Sequence, residues 1–87
     1  MTIFAVHYEY TETPNITETR PKHREFLRRL KDEGKLVGSG PLGDGGALIV
    51  LQLEGDIDDA RELMARDPFA ELVDAHFQTW DAVLRVF

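Results

Sequence analysis

The spacing of apolar residues changes repeatedly along this chain, and the order of the changes leaves few folds open. Over residues 2–10, Phe4, Val6, Tyr8 and Tyr10 alternate with Ile3, Ala5, His7 and Glu9, the two-residue repeat of a strand. A polar loop, Thr11 to Thr19, follows. The repeat then becomes helical, with His23, Phe26, Leu27 and Leu30 at i, i+3, i+4 and i+7. This predicts a helix over 19–33, capped by Thr19, with Pro21 in its first turn and Gly34 at its end. Residues 35–42 and 47–54 read as two strands joined by the turn Gly43-Asp44-Gly45-Gly46. Asp56 caps a second helix through about Arg66, with Ile57, Ala60, Leu63 and Met64 on one side, and Pro68 breaks it. The last strand falls within 75–86, which holds Phe77, Trp80, Val83 and Leu84. Strand, helix, strand, strand, helix, strand is the α+β, ferredoxin-like split βαβ arrangement, βαββαβ, and residues 1–87 make one domain of it.

Right-handed crossovers put both helices on one face of such a sheet. A sheet covered on that face alone should alternate apolar and polar residues. The third strand does not: Ala47, Ile49, Leu51 and Leu53 point one way, and Leu48 and Val50 the other. The first strand is apolar on both sides too. The expected second cover is another copy of the sheet, giving a homodimer with sheets packed face to face. A domain of this size buries only about 60% of its unfolded surface, so a partner subunit adds core.

Composition removes other classes. The chain is 43% hydrophobic and 30% charged, which suits a folded domain. Its net charge of −6, with the cations near 20–31 set among acids, argues against nucleic acid and anionic membrane as partners. No apolar run nears the roughly 20 residues that span a bilayer. No basic leader precedes the first strand, so a cytoplasmic location is expected and the Asn15-Ile16-Thr17 sequon has no consequence there. There is no cysteine, hence no thiolate ligand or cysteine nucleophile. His7, His23 and His76 lie in different elements, and Asp56, Asp58 and Asp59 have the spacing of an acidic helix start. Neither a metal nor another cofactor is expected.

Gly38-Ser39-Gly40-Pro41-Leu42-Gly43 has the form G-x-G-x-x-G, but a turn and a strand follow it instead of the helix a pyrophosphate needs. It reads as a bent strand and hairpin, with Gly40 and Pro41 as candidates for a pocket wall. Two ionisable residues are less easily placed. His23 lies in the apolar stripe of the first helix, and Asp67 continues the stripe of the second, i+4 from Leu63. A carboxylate on an inner face at a helix C-terminus is badly placed by itself. One reading keeps them apart, with His23 bonded to backbone and Asp67 capping the turn Pro68-Phe69-Ala70. The other brings them together on the shared sheet face. An imidazole suits proton transfer near neutral pH, and a carboxylate partner fixes its tautomer. Arg20, one turn before His23, offers a fork to an anionic substrate.

At these residues the chain resembles the YciI-like (YCII-related) family. The matching pieces are Arg20-Pro21-x-His23 with Phe26-Leu27, then Gly40-Pro41-Leu42 before a glycine turn, then Asp67-Pro68-Phe69. The resemblance implies a dimeric ferredoxin-like fold with a His–Asp pair in a cleft, here His23 and Asp67. The family is mostly without assigned activity. The chemistry associated with it is elimination of HCl from a chlorinated hydroxyquinol, a proton transfer without a cofactor. The long, acidic 11–19 loop departs from the family pattern. The expected function is a small cofactor-independent enzyme that eliminates or isomerises a small polar substrate, such as a hydroxylated aromatic, through His23 and Asp67. The alternatives are a non-catalytic metabolite-binding domain and a cofactor-independent oxygenase.

Overall fold

In the computed structural model the described residues are 1–11, 15–43 and 45–85. They run β1 (Thr2–Tyr10), α1 (Asn15–Asp32), β2 (Leu36–Pro41), β3 (Ala47–Leu53), α2 (Ile57–Met64) and β4 (Val73–Thr79). The strands form one sheet in the order β2-β3-β1-β4, with every neighbouring pair antiparallel. This is the expected ferredoxin-like order, with β1 and β3 in the centre.

Register sets the two faces. Phe4 opposes Leu51, Val6 opposes Ile49 and Tyr8 opposes Ala47, so the even positions of β1 and the odd positions of β3 share the helix side. There they meet Ile16, Phe26, Leu27 and Leu30 of α1 and Ala60 and Met64 of α2 in one core. Burying each of the larger side chains stabilises the fold by about 1.5–3 kcal/mol relative to exposure.

Several boundaries differ from the sequence reading: α2 stops at Met64, short of Arg66, β4 starts at Val73, ahead of 75, and the α1 start and β4 end move furthest. α1 begins at Asn15, so Thr19 is inside the helix and does not cap it, and Pro21 is an interior helical residue. Pro21 has no N–H for the Thr17 carbonyl, yet the preceding turn holds because Ile16 is buried in the core. Packing here outweighs a local preference. β4 ends at Thr79, which pairs with Phe4 two residues from the start of β1; the Trp80 N–H donates to the Ile3 carbonyl at 2.8 Å, and the β1–β4 ladder goes no further. Residues 80–85 therefore leave the sheet, and Val83 and Leu84 are exposed. The α2 start is as expected. Asp56 accepts from the N–H groups of Asp58 and Asp59, and Asp59 accepts from the Asp56 N–H at 2.8 Å. In the 43–46 turn the Leu42 N–H donates to the Gly46 carbonyl at 2.8 Å; Asp44 lies outside the described residues.

The sheet face away from the helices carries Ile3, Ala5, His7, Leu48 and Val50. Part of it is covered by the chain itself, since Ala82 packs on Ile3 and Val50 with Val37 beside them. Leu48 stays exposed. His7 and His76 face each other on this side, ring centres 5.8 Å apart, and so do not converge with His23 on α1.

Candidate functional site

β1 places Tyr8 inward by strand parity, and α1 lowers His23 towards it from above the sheet. The third component comes from the turn after α2. Ala65 caps that helix, the Asp67 N–H donates to the Met64 carbonyl at 3.1 Å, and the chain turns back through Pro68 and Phe69. This turn carries the Asp67 side chain into the core.

His23 Nδ1 lies 2.9 Å from Asp67 Oδ1 and 2.8 Å from Oδ2. Both residues are buried, at 7% and 3% exposure, so the contact excludes water. The same carboxylate accepts from the Tyr8 hydroxyl at 2.7 Å and from the Phe69 N–H at 3.0 Å. The two readings of Asp67 are thus both met: it starts the Pro68-Phe69-Ala70 turn and it holds the imidazole. A buried carboxylate is costly unless its lone pairs are satisfied, and here three donors satisfy them. Phe69, fully buried, stacks on the His23 ring with centroids 4.1 Å apart and planes 10° from parallel. The ring is consequently fixed in plane and in tilt. Burial, then the charge of Asp67 and the hydrogen bond to it, push the Tyr8 phenol well above the ordinary tyrosine value. Tyr8 is a neutral donor at any physiological pH.

A cavity of about 530 Å³ opens beside the imidazole. His23 and Arg20 line it from α1, and Gly40 and Pro41 line it from the end of β2. Asp67 is not on its wall; it stands behind His23. The structure therefore places four of the five predicted residues around one space and the fifth in contact with His23. Arg24, one turn beyond Arg20, also lines the cavity, so two guanidinium groups border it. Neither is in an ion pair with another described residue. Gly46 forms part of the wall where β3 begins.

The sequence reading did not single out Tyr8 or Arg24, and it named Phe69 only as part of the Asp67-Pro68-Phe69 piece, not as a ring stacked on His23. Tyr8 shares the inward parity of Phe4 and Val6, and a buried phenol requires a partner, which was the available signal. Arg24 sits at i+4 from Arg20, the spacing of helix neighbours. Among the described residues no cluster of three or more His, Asp or Glu side chains has metal-binding geometry. The glycines 38–43 lie in β2 and the following turn, with no helix after them. No helix among the described residues is long and apolar enough to cross a membrane.

The arrangement has the elements of proton transfer: an imidazole held at one nitrogen by a carboxylate, a space beside it, and cations at the rim. Among solved structures the fold is similar to that of the 5-chloro-2-hydroxyhydroquinone dehydrochlorinase TftG from Burkholderia phenoliruptrix AC1100, in complex with 2,5-dihydroxybenzoquinone. The TM-score is 0.62 at 17% sequence identity, over 90% of this chain and 93% of that one. No curated protein matches the sequence. The family profile of the YCII-related domain matches residues 1–79, nearly the whole chain, and the protein belongs to that family.

Proposed function

We propose that the protein is a cofactor-independent enzyme in which His23 moves a proton on a small, hydroxylated substrate. The observation that carries the reading is the 2.8 Å contact between His23 Nδ1 and Asp67, made beside a cavity that His23 lines. With Nδ1 committed to the carboxylate, Nε2 is the nitrogen that meets substrate. Asp67 holds the tautomer that leaves a lone pair on Nε2 and stabilises the imidazolium once a proton arrives. Arg20 holds negative charge that develops on a substrate oxygen. Gly40 and Pro41 form the opposite wall, where the lack of large side chains leaves room for a ring.

The chemistry balances without a redox partner. A substrate O–H or C–H gives its proton to Nε2, and the released electron pair forms a new double bond. In an elimination that pair expels a leaving group such as chloride, and HCl is lost overall. In an isomerisation the proton returns at another atom. The dehydrochlorinase activity named for the structurally similar protein is of the first kind. The test is incubation with chlorinated hydroxyquinols and related phenols in D₂O, following chloride release and deuterium incorporation. Catalysed release or exchange that falls about 10²- to 10⁴-fold in His23→Gln supports the reading. Release or exchange at the uncatalysed rate, or the same in the variant, refutes it.

We infer further that the working unit is a homodimer joined through the open sheet face. Leu48, exposed at 37% on that face, supplies apolar surface for it, beside Ile3 and Val50, which Ala82 already buries.

A further inference from the structure

We propose that the cleft beside His23 continues along α1 as a subsite for the anionic tail of an extended substrate, read by Arg24, Arg28 and Lys31. The tail ends in a phosphate or a carboxylate. The catalytic reading above supplies only the choice of which end of the substrate reacts.

The first support is charge segregation. The protein has net charge −6, yet seven of its ten cations (Arg20, Lys22, Arg24, Arg28, Arg29, Lys31 and Lys35) fall in one stretch. In sequence they are mixed with acids. On the helix four of them separate from the acids: at 3.6 residues per turn, positions 20, 24, 28 and 31 fall within one stripe roughly 80° wide, while Lys22 and Arg29 lie on the far side among the acids and Lys35 lies beyond the helix. That stripe borders the buried stripe of His23 and Leu27. Glu18, Glu25 and Asp32 lie beyond it, turned further from the sheet. The basic stripe hidden in the linear sequence is thus a feature of the folded surface.

The second support is shape. A groove of about 200 Å³ lies between α1 and the edge strand β2, lined by Arg24, Leu27, Arg28, Lys31, Leu36 and Ser39. Arg24, Leu27 and Ser39 also line the cavity at His23, so the two spaces adjoin. Leu27 and Leu36 give the groove an apolar floor, and Ser39 gives it a hydroxyl. Arg24, Arg28 and Lys31 are exposed, and none is in an ion pair with another described residue. Arginine forks match carboxylate and phosphate oxygens in pairs. Against an acidic remainder, such a stripe also steers anions to the cleft.

Helix rise gives the length. Arg28 is five residues from His23 and Lys31 eight, roughly 8 and 12 Å along the axis. A reacting ring at His23 with a short chain ending in an anion spans this interval.

The test is a calorimetric titration with phenylalkyl phosphates, and separately phenylalkyl carboxylates, of increasing chain length. Affinity is expected to rise about tenfold or more from the shortest chain to one that spans the interval. The rise is expected to vanish in the surface double variant Arg28→Gln/Lys31→Gln. Which series rises more steeply identifies the terminal group. Affinity independent of chain length, or a rise that survives the double variant, overturns the proposal, as does tighter binding of a single-stranded oligonucleotide than of any short chain. His23→Gln separates the two proposals, because it is expected to keep the chain-length dependence. Loss of turnover alone therefore concerns only the catalytic reading.

Discussion

The Tyr8 hydroxyl donates to Asp67 Oδ2 at 2.7 Å, so the carboxylate that holds His23 is itself held from the centre of the sheet. Tyr8→Phe removes that donor and leaves the shape unchanged. A hydrogen bond to a buried charge contributes about 1.5–3 kcal/mol, and a loss of that size is expected in urea unfolding. The same contact makes stability depend on alkaline pH. Burial and the Asp67 carboxylate raise the phenol above its ordinary 10.0 in the folded protein. Above about pH 10 the unfolded chain releases this proton and the native state retains it. The native state then binds more protons, and stability falls as pH rises. Wild type should lose unfolding free energy between pH 9 and 11 more steeply than Tyr8→Phe. Equal slopes would show that the phenol is not coupled to folding.

Asp67→Asn and His23→Gln should separate orientation from proton transfer. The amide introduced by Asp67→Asn keeps an oxygen for the Phe69 N–H and loses the negative charge opposite Nδ1. Each variant is expected to lower the rate by about 10²- to 10⁴-fold, and the double variant by no more than the worse single one, because the pair acts as a unit. Circular dichroism and melting should show all three folded. Multiplicative losses in the double variant would mean that the two residues work independently.

The pair was legible because each member breaks a pattern. His23 and Asp67 are polar residues in stripes that are otherwise apolar, and a one-sided sheet brings both stripes to the same core. Tyr8 breaks no pattern: tyrosine is common in strands, and only its tertiary partner reveals its role. Arg24 is hidden for a similar reason, since exposed cations on a helix are ordinary until a cavity is seen beside them. The order of elements along the chain followed from the periodicity, but element ends did not. Pro21 suggested a helix start that the burial of Ile16 overrides, and the apolar Val83 and Leu84 suggested strand where no partner remains. The dimer expectation rests on Leu48 and Val50 facing away from the helices, a fact about one chain that says nothing of the tail now packed over part of that face.

Gly46 is where the cavity wall tolerates no side chain. A Cβ built there would lie 2.7 Å from the Tyr8 carbonyl oxygen and 3.1 Å from His7 Nε2. Both neighbours belong to the central strand, so relief requires β3 to move from β1 at the edge of the site. Gly46→Ala is expected to cost about 1–3 kcal/mol, as overpacking does. Gly43→Ala, which meets no atom within 4 Å, is the control and should stay within about 0.5 kcal/mol of wild type. Denaturant midpoints measure both. Similar effects at the two positions would show that the hairpin yields freely.

Leu48 tests the assembly. It lies opposite His7 on the open face and is 37% exposed, beside the Ile3–Val50–Ala82 cluster. If two sheets meet there about a two-fold axis, each interface contains Leu48 from both copies. Leu48→Glu then places two carboxylates without partners in a desolvated contact. An unpaired buried charge costs about 3–5 kcal/mol, and 1.4 kcal/mol is tenfold in affinity. The dimer dissociation constant should therefore rise at least about 10²-fold, while the monomer, in which position 48 faces solvent, stays folded. Sedimentation velocity over a concentration series reads this directly: wild type is expected to run as a dimer at micromolar concentration and the variant as a monomer. A wild-type protein that sediments as a monomer at about 100 μM would mean that the C-terminal tail alone is the cover of this face.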